Sequence, residues 1–225
     1  MNNLAIKDQP ELTQVTASKA VFSEHASKLT DIYQDDVKLI VWQNNTPKQL
    51  TQIAQALINQ RPHLKAVLTV TPENCFTQLS EYLADLEDSH ELCKHISLLV
   101  DMFCTLFELK GAGLRLTALD RPMCPKFHVD KVPCRLITTF VGSATQWLSN
   151  DVIDRTKLGK ASTGKTDAES GLYRDNKDIQ QLNAGDIALV KGEGWINNEG
   201  AGLVHRSPEL AADESRLLLT LDFID

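Results

Sequence analysis

No run in this chain approaches the roughly 20 consecutive apolar residues that a membrane-spanning helix needs. Its first residues, MNNLAIKDQPELTQ, hold no apolar core of signal-peptide length. A cytoplasmic protein with no membrane partner is therefore expected. Positive charge is also scarce, with 23 Lys and Arg against 30 Asp and Glu, a net charge of −7. Nucleic-acid affinity comes mainly from basic clusters that neutralise phosphates, so no nucleic-acid partner is expected, and a small-molecule or protein substrate is. Nothing in the composition speaks to oligomeric state. The cysteines are few and odd in number, Cys75, Cys93, Cys104, Cys124 and Cys134. In a reducing compartment that argues against a disulfide framework, and Cys93 and Cys104, set in an apolar helical pattern, read as small core residues. What remains is ordinary for a globular fold: 225 residues, 42% hydrophobic and 24% charged. A chain of this length buries roughly 70% of its unfolded surface and needs no staples.

The texture changes along the chain. Residues 1–112 read as a helix-rich region with a few strands. VKLIVWQ (37–43) and AVLTV (66–70) are strand candidates. Thr46, Pro47 and Gln49 have the spacing of a capping box opening a helix to about Ile58. Thr71-Pro72 opens another to about Leu86. Asp88 with Glu91 begins a third, in which Leu92, Ile96, Leu99, Phe103 and Leu106 recur at helical spacing until Gly111 and Gly113. From residue 113 to 225 the pattern becomes short strand-like runs between Gly, Pro and Asn: GLRLTAL (113–119), residues 127–141, GDIALVKG (185–192), GLVHR (202–206) and RLLLTLDF (216–223). Such a run of short strands suggests a β-sandwich or barrel. Residues 149–184 are polar and weakly patterned, a functional or mobile loop with room for one short helix.

The chemistry concentrates in FHVDKVPCRLITTFVG, residues 127–142. In an extended strand, residues two apart share a face, so the His128 imidazole and the Asp130 carboxylate converge. His205, in GAGLVHRSP, supplies a third ligand if the strands that carry them face each other. Two imidazoles and one carboxylate on one face of a metal leave open positions, the arrangement of non-haem iron(II) sites. Arg216 shares a strand face with Leu218, Thr220 and Asp222, opposite Leu217, Leu219, Leu221 and Phe223. A cation inside a sandwich seeks a carboxylate, either one of Asp213, Glu214 and Asp222 or one belonging to a ligand. Thr138 and Thr139 offer hydroxyls on the strand after Asp130.

The order His128-x-Asp130, RLITTFVG, GDIALVKG, HRSP and Arg216 resembles the iron(II)/2-oxoglutarate-dependent oxygenases, the prolyl-hydroxylase-like branch above all, over roughly residues 113–225. The whole chain, with PMCPKFHVDKVPCRLIT and ATQWL, also resembles the bacterial family known as domain of unknown function 1826. The oxygenase resemblance implies an α+β fold, a double-stranded β-helix (jelly roll) over 113–225 with the helix-rich region before it. It implies Fe(II) at His128, Asp130 and His205, and 2-oxoglutarate at Arg216 with Thr138 or Thr139. Gly142-Ser143-Ala144-Thr145 departs from the extended strand and acidic turn of prolyl hydroxylases, so peptidyl proline is not the implied substrate.

Two other motifs compete. Cys124 and Cys134 flank the ligand segment, and thiolates with imidazole favour zinc in a closed tetrahedral site; a zinc-binding or zinc-homeostasis protein without oxygenase activity is the alternative. Gly159 to Thr166, GKASTGKT, satisfies the phosphate-loop pattern. That motif works only between a buried strand and a helix, and neither is expected from its polar flanks. Trp147 and Trp195 fall near the mouth of the sandwich, as end-closing residues or as a stacking surface for substrate.

Overall fold

The structure is a computed structural model, described for residues 18–43, 46–86 and 89–224. Among these described residues ten strands form two sheets. The larger sheet contains β1 (Lys19–Ser23), β2 (Val37–Trp42), β3 (Lys65–Val70), β4 (Ala112–Leu119), β5 (Cys134–Val141), β8 (Ile187–Lys191) and β10 (Arg216–Asp222), in the order β1-β2-β8-β5-β10-β4-β3. All neighbours in it are antiparallel except β1 and β2. The smaller sheet is β6 (Gln146–Leu148) between β7 (Ile179–Gln181) and β9 (Val204–Arg206).

Alternation along the strands decides which layer each residue joins. Leu217, Leu219 and Leu221 of β10 and Leu136 and Phe140 of β5 are buried against helices α1 (Lys48–Gln60), α2 (Cys75–Tyr82) and α3 (Ser89–Phe107). On the other side of the same sheet, Leu39, Val41, Ile137, Ala188, Val190 and Leu218 pack against Trp147, Leu182 and Leu203, which fills the sandwich. A third cluster, Phe127, Leu148, Leu172, Tyr173 and Val204, covers the outer face of the small sheet with residues from the 149–184 segment. Strands from both sides of residue 112 share one sheet, since β3 pairs with β4 along its whole length. One core also runs from the helices to β10.

Several local expectations are corrected. Thr46 does not cap α1: its hydroxyl donates to the Gly185 carbonyl, and Pro47 takes the N-cap position without a side-chain bond. The second helix begins at Cys75 rather than beside Pro72, because the Asn74 side chain accepts from Thr71 N–H and holds a turn there. Helix α3 ends at Phe107, before Gly111, where Glu108 takes φ of 54°; Asp88 lies outside the described residues. The polar segment holds α4 (Asp167–Ser170), β7 and four single 3-10 turns. Gly142 turns the chain out of β5 with φ of 84°, and a Cβ there would lie 2.4 Å from the Ser215 carbonyl oxygen. No helix among the described residues is long and apolar enough to cross a membrane.

Candidate metal centre

His128 does not lie in a continuous strand running into β5. It makes a single antiparallel bridge to His205, through mutual N–H to carbonyl bonds of 3.0 Å, and a bend at 131–133 then separates it from Cys134. His205 is held on its other side by Trp147 of β6. The two imidazoles therefore project from adjacent segments, 4.7 Å apart between ring centroids. Asp130 is positioned through its own backbone, whose carbonyl accepts from Glu193 N–H at 2.9 Å. That contact requires Gly192, where a Cβ would come within 2.1 Å of the Val132 carbonyl oxygen.

One ligand atom from each of His128, Asp130 and His205 lies within 4.8 Å of the others. Two atoms bound to one ion at about 2.0–2.2 Å stand at most about 4.4 Å apart, so a small side-chain adjustment suffices. Tautomers follow from the partners. His128 Nδ1 faces the Lys126 carbonyl at 2.9 Å and His205 Nδ1 faces the Leu203 carbonyl at 3.2 Å. A carbonyl only accepts, so each Nδ1 carries a proton and each ring turns its Nε2 toward Asp130, 3.8 and 3.4 Å from its oxygens, where a charged ring donates to the carboxylate and a neutral one offers a lone pair to a metal. Burial, reinforced by the neighbouring His205, lowers the His128 pKa below its ordinary value, which favours the neutral, ligating form. Burial alone would raise the Asp130 carboxyl, but the His205 hydrogen bond and the charges of His205, Arg135 and His128 bring it to about 2.

Arg135 was missed in reading the sequence. From β5 its Nε and Nη2 donate to the two oxygens of Asp222 at 2.6 and 3.0 Å, while Nη1 donates to Asp130 Oδ2 at 2.8 Å. One guanidinium thus ties the carboxylate ligand to the end of β10, a planar fork matched to a carboxylate. The available signal was an Arg on the interior face of an apolar strand, in step with Ile137 and Thr139. In the sequence its partner Asp222 is grouped with Arg216 on one strand instead.

Arg216 has no exposed surface, yet it forms no ion pair with Asp213, Glu214 or Asp222. Its Nη2 donates to Thr139 Oγ1 at 3.2 Å, and its Nε and Nη1 are buried without a hydrogen-bond partner among the described residues. Burial lowers its pKa to about 10, against the opposing effect of Glu214, so it stays charged at neutral pH. Thr138 is not part of this arrangement. Alternation turns it to the helix side with Leu136 and Phe140, and only Thr139 reaches Arg216. Cys134 is also buried, in the helix-side core cluster, where desolvation raises its thiol pKa. No cysteine joins the ligand group found among the described residues.

The phosphate-loop pattern lacks its architecture: a 3-10 turn precedes it, and α4 after it has four residues, capped by Thr166 and Glu169. The segment instead braces the ligand strand. Asp167 accepts from Phe127 N–H and from Arg206, and Lys126 donates to the Ser162 carbonyl. Trp147 is buried within the sandwich, while Trp195 packs on Tyr33 and Phe107 on the helix side.

In fold the chain is similar to a dioxygenase for auxin oxidation from rice, at 11% identity over 92% of this chain and 83% of that one, with a TM-score of 0.50. Weaker likenesses include a prolyl-4-hydroxylase from Pseudomonas putida (13% identity, 88% and 96% covered, TM-score 0.42). Another is HygX from Streptomyces hygroscopicus with nickel and 2-oxoglutarate bound (8% identity, 88% and 85% covered, TM-score 0.45). At these identities the likeness establishes fold alone, and the rice structure carries it. The protein is thus of mixed α/β class, with a large antiparallel sheet like that of jelly-roll oxygenases and a His-Asp-His cluster able to share an ion. No curated protein matches it in sequence. The chain belongs to the family described as protein of unknown function (DUF1826), whose model matches residues 23–222.

Proposed function

We propose that the protein is an iron(II)- and 2-oxoglutarate-dependent oxygenase, with His128, Asp130 and His205 as metal ligands and Arg216, assisted by Thr139, as the anchor for the distal carboxylate of 2-oxoglutarate. The observation that carries this is Arg216: a charged guanidinium with no exposed surface and two nitrogens without partners lacks the carboxylate that such burial calls for. The ligand atoms fit the metal as well, being two imidazole nitrogens and one carboxylate oxygen with no thiolate among them. Iron(II) held there supplies oxygen activation coupled to oxidative decarboxylation of 2-oxoglutarate. The residues of the chain do the rest. The backbone carbonyls of Lys126 and Leu203 hold both imidazoles in the ligating tautomer, Arg135 fixes the Asp130 carboxylate, and the Leu218 and Ile137 side chains keep the sandwich interior dry. The closed tetrahedral zinc site of the alternative calls for a thiolate, but Cys134 is committed to the helix-side core and Cys124 does not join the ligand group found among the described residues.

The test is elemental analysis of protein purified without added metal, followed by anaerobic titration of 2-oxoglutarate into the iron(II)-loaded protein. Wild type is expected to bind. Arg216→Met is expected to weaken binding by about 2–5 kcal/mol, the range for removing one member of a buried charge pair, with metal content unchanged. His205→Ala is expected to lose the metal. Absence of 2-oxoglutarate binding to the loaded wild type refutes the assignment.

A further inference from the structure

The small sheet does not cover the whole interior face of the large one. Beyond β10 that face continues onto β4 and β3 as Arg115, Thr117 and Val67, with Arg115 standing opposite both Thr220 of β10 and Val67 of β3. Val67 is 55% exposed there. A small cleft of about 40 Å³ opens on this face, lined by Arg115, Thr117, Met123, Arg135, Leu218 and Thr220. Its polar lining is two guanidiniums and two hydroxyls, and no carboxylate borders it. Arg135 spends three N–H groups on Asp222 and Asp130, and a guanidinium carries five, so two remain. Arg115 makes no ion pair among the described residues, and the chain as a whole is acidic, which makes a cluster of uncommitted donors here a local feature.

We propose that this cleft is an anion subsite, in which Arg115 and the free N–H groups of Arg135, with the Thr117 and Thr220 hydroxyls, hold a carboxylate or phosphate group of the substrate. The volume suits one such group, which leaves the body of the substrate on the open face beside Val67 and Met123. The position fits a substrate rather than the co-substrate. Thr220 is four residues along β10 from Arg216, a rise of about 13 Å, and Leu218 stands between them. Through Arg135 the cleft is one side chain away from Asp130. A substrate anchored by its anionic end would thus be held at a fixed distance from the metal, the positioning on which such chemistry depends. Its role as a substrate subsite rests on the oxygenase reading; its ability to bind an anion does not.

The experiment therefore uses the metal-free full chain. Inorganic phosphate and acetate are titrated at constant ionic strength, with the arginine Nε–H resonances followed by NMR. The expected result is a saturable shift of the Arg115 and Arg135 signals for at least one probe, the better probe naming the anion. Arg115→Gln should raise the apparent Kd at least about tenfold, the loss of one charge-assisted hydrogen bond, and Arg115→Lys should restore part of the phosphate affinity. Arg216→Met should leave it unchanged. No saturable shift up to about 50 mM, far above the ~1 mM scale of weak specific binding, overturns the proposal, as does a response that persists in Arg115→Gln. If 2-oxoglutarate proves to need Arg115 and not Arg216, the substrate assignment is overturned. Anion binding in a protein that takes up no metal would refute the oxygenase reading and leave the subsite standing.

Discussion

Replacing Arg135 by Met keeps the length of the side chain and removes the cation that joins Asp130 to Asp222. Both carboxylates are nearly buried, with side chains 10% and 13% exposed, so the variant leaves two charges without their partner. Breaking a fully buried pair in this way costs about 3–5 kcal/mol, and partial solvent access lowers that to about 2–4 kcal/mol. The Asp130 carboxyl is held at about 2 rather than 3.8, and at 1.36 kcal/mol per pKa unit that is about 2 kcal/mol from all causes together. Because the folded value is depressed, this stability is present above pH 3.8 and disappears as pH falls toward 2. For a chain of this size the loss corresponds to a fall in Tm of roughly 4–16 °C. The assay is thermal unfolding of metal-free protein at pH 7 and again near pH 3. The deficit of Arg135→Met should shrink at the lower pH, where Asp130 in the variant is protonated. Asp222→Asn should cost little once Arg135 is gone, since the two act as a pair. Added divalent metal should raise the Tm of the variant more than that of wild type, because the ion returns a positive charge to Asp130. A variant whose Tm stays within about a degree of wild type would show that the bridge contributes nothing, and a deficit unchanged at pH 3 would separate it from the Asp130 charge.

Lys191 is buried on the helix side, donating to the Gln34 carbonyl at 2.9 Å with its ammonium 4.7 Å from the Trp195 ring centroid. Burial, with the nearby Lys38, lowers its pKa from 10.5 to about 8. Between those values the unfolded chain holds the proton that the folded one releases, so this residue makes stability rise with pH from about 8 to 10.5, by up to about 3 kcal/mol. Urea unfolding across that range should show a larger gain in wild type than in Lys191→Met, where the lowered pKa of Lys38 leaves only a smaller rise; parallel curves would contradict it. The GKASTGKT segment should bind no ATP, since no strand feeds it and its helix has four residues. Calorimetry with ATP and Mg²⁺ should give no signal, and Lys165→Ala should retain wild-type metal content; tight binding lost in that variant would reverse the conclusion.

What the sequence settled by itself is what depends on local periodicity. The strands β2, β3, β4, β8 and β10 and the buried stripe of α3 were legible because burial on one face imposes a period of two or of 3.6 on the residues themselves. The pairing of His128 with Asp130 was legible for the same reason, since two residues apart is a local relation. Tertiary structure decided the remainder. His205 meets His128 only through a bridge between segments 77 residues apart, set by the docking of the small sheet. The choice of Thr139 over Thr138 followed from which face of β5 the helices cover. Most of all, the partners of the cations were invisible in one dimension. Asp222 was a plausible mate for Arg216 in its own strand, but residues at i and i+6 stand about 20 Å apart along a strand, whereas the register of β5 against β10 sets Arg135 directly opposite Asp222. That register satisfied one guanidinium and left the other, Arg216, buried with open donors, because long-range ion pairing is fixed by sheet register and not by proximity in the chain.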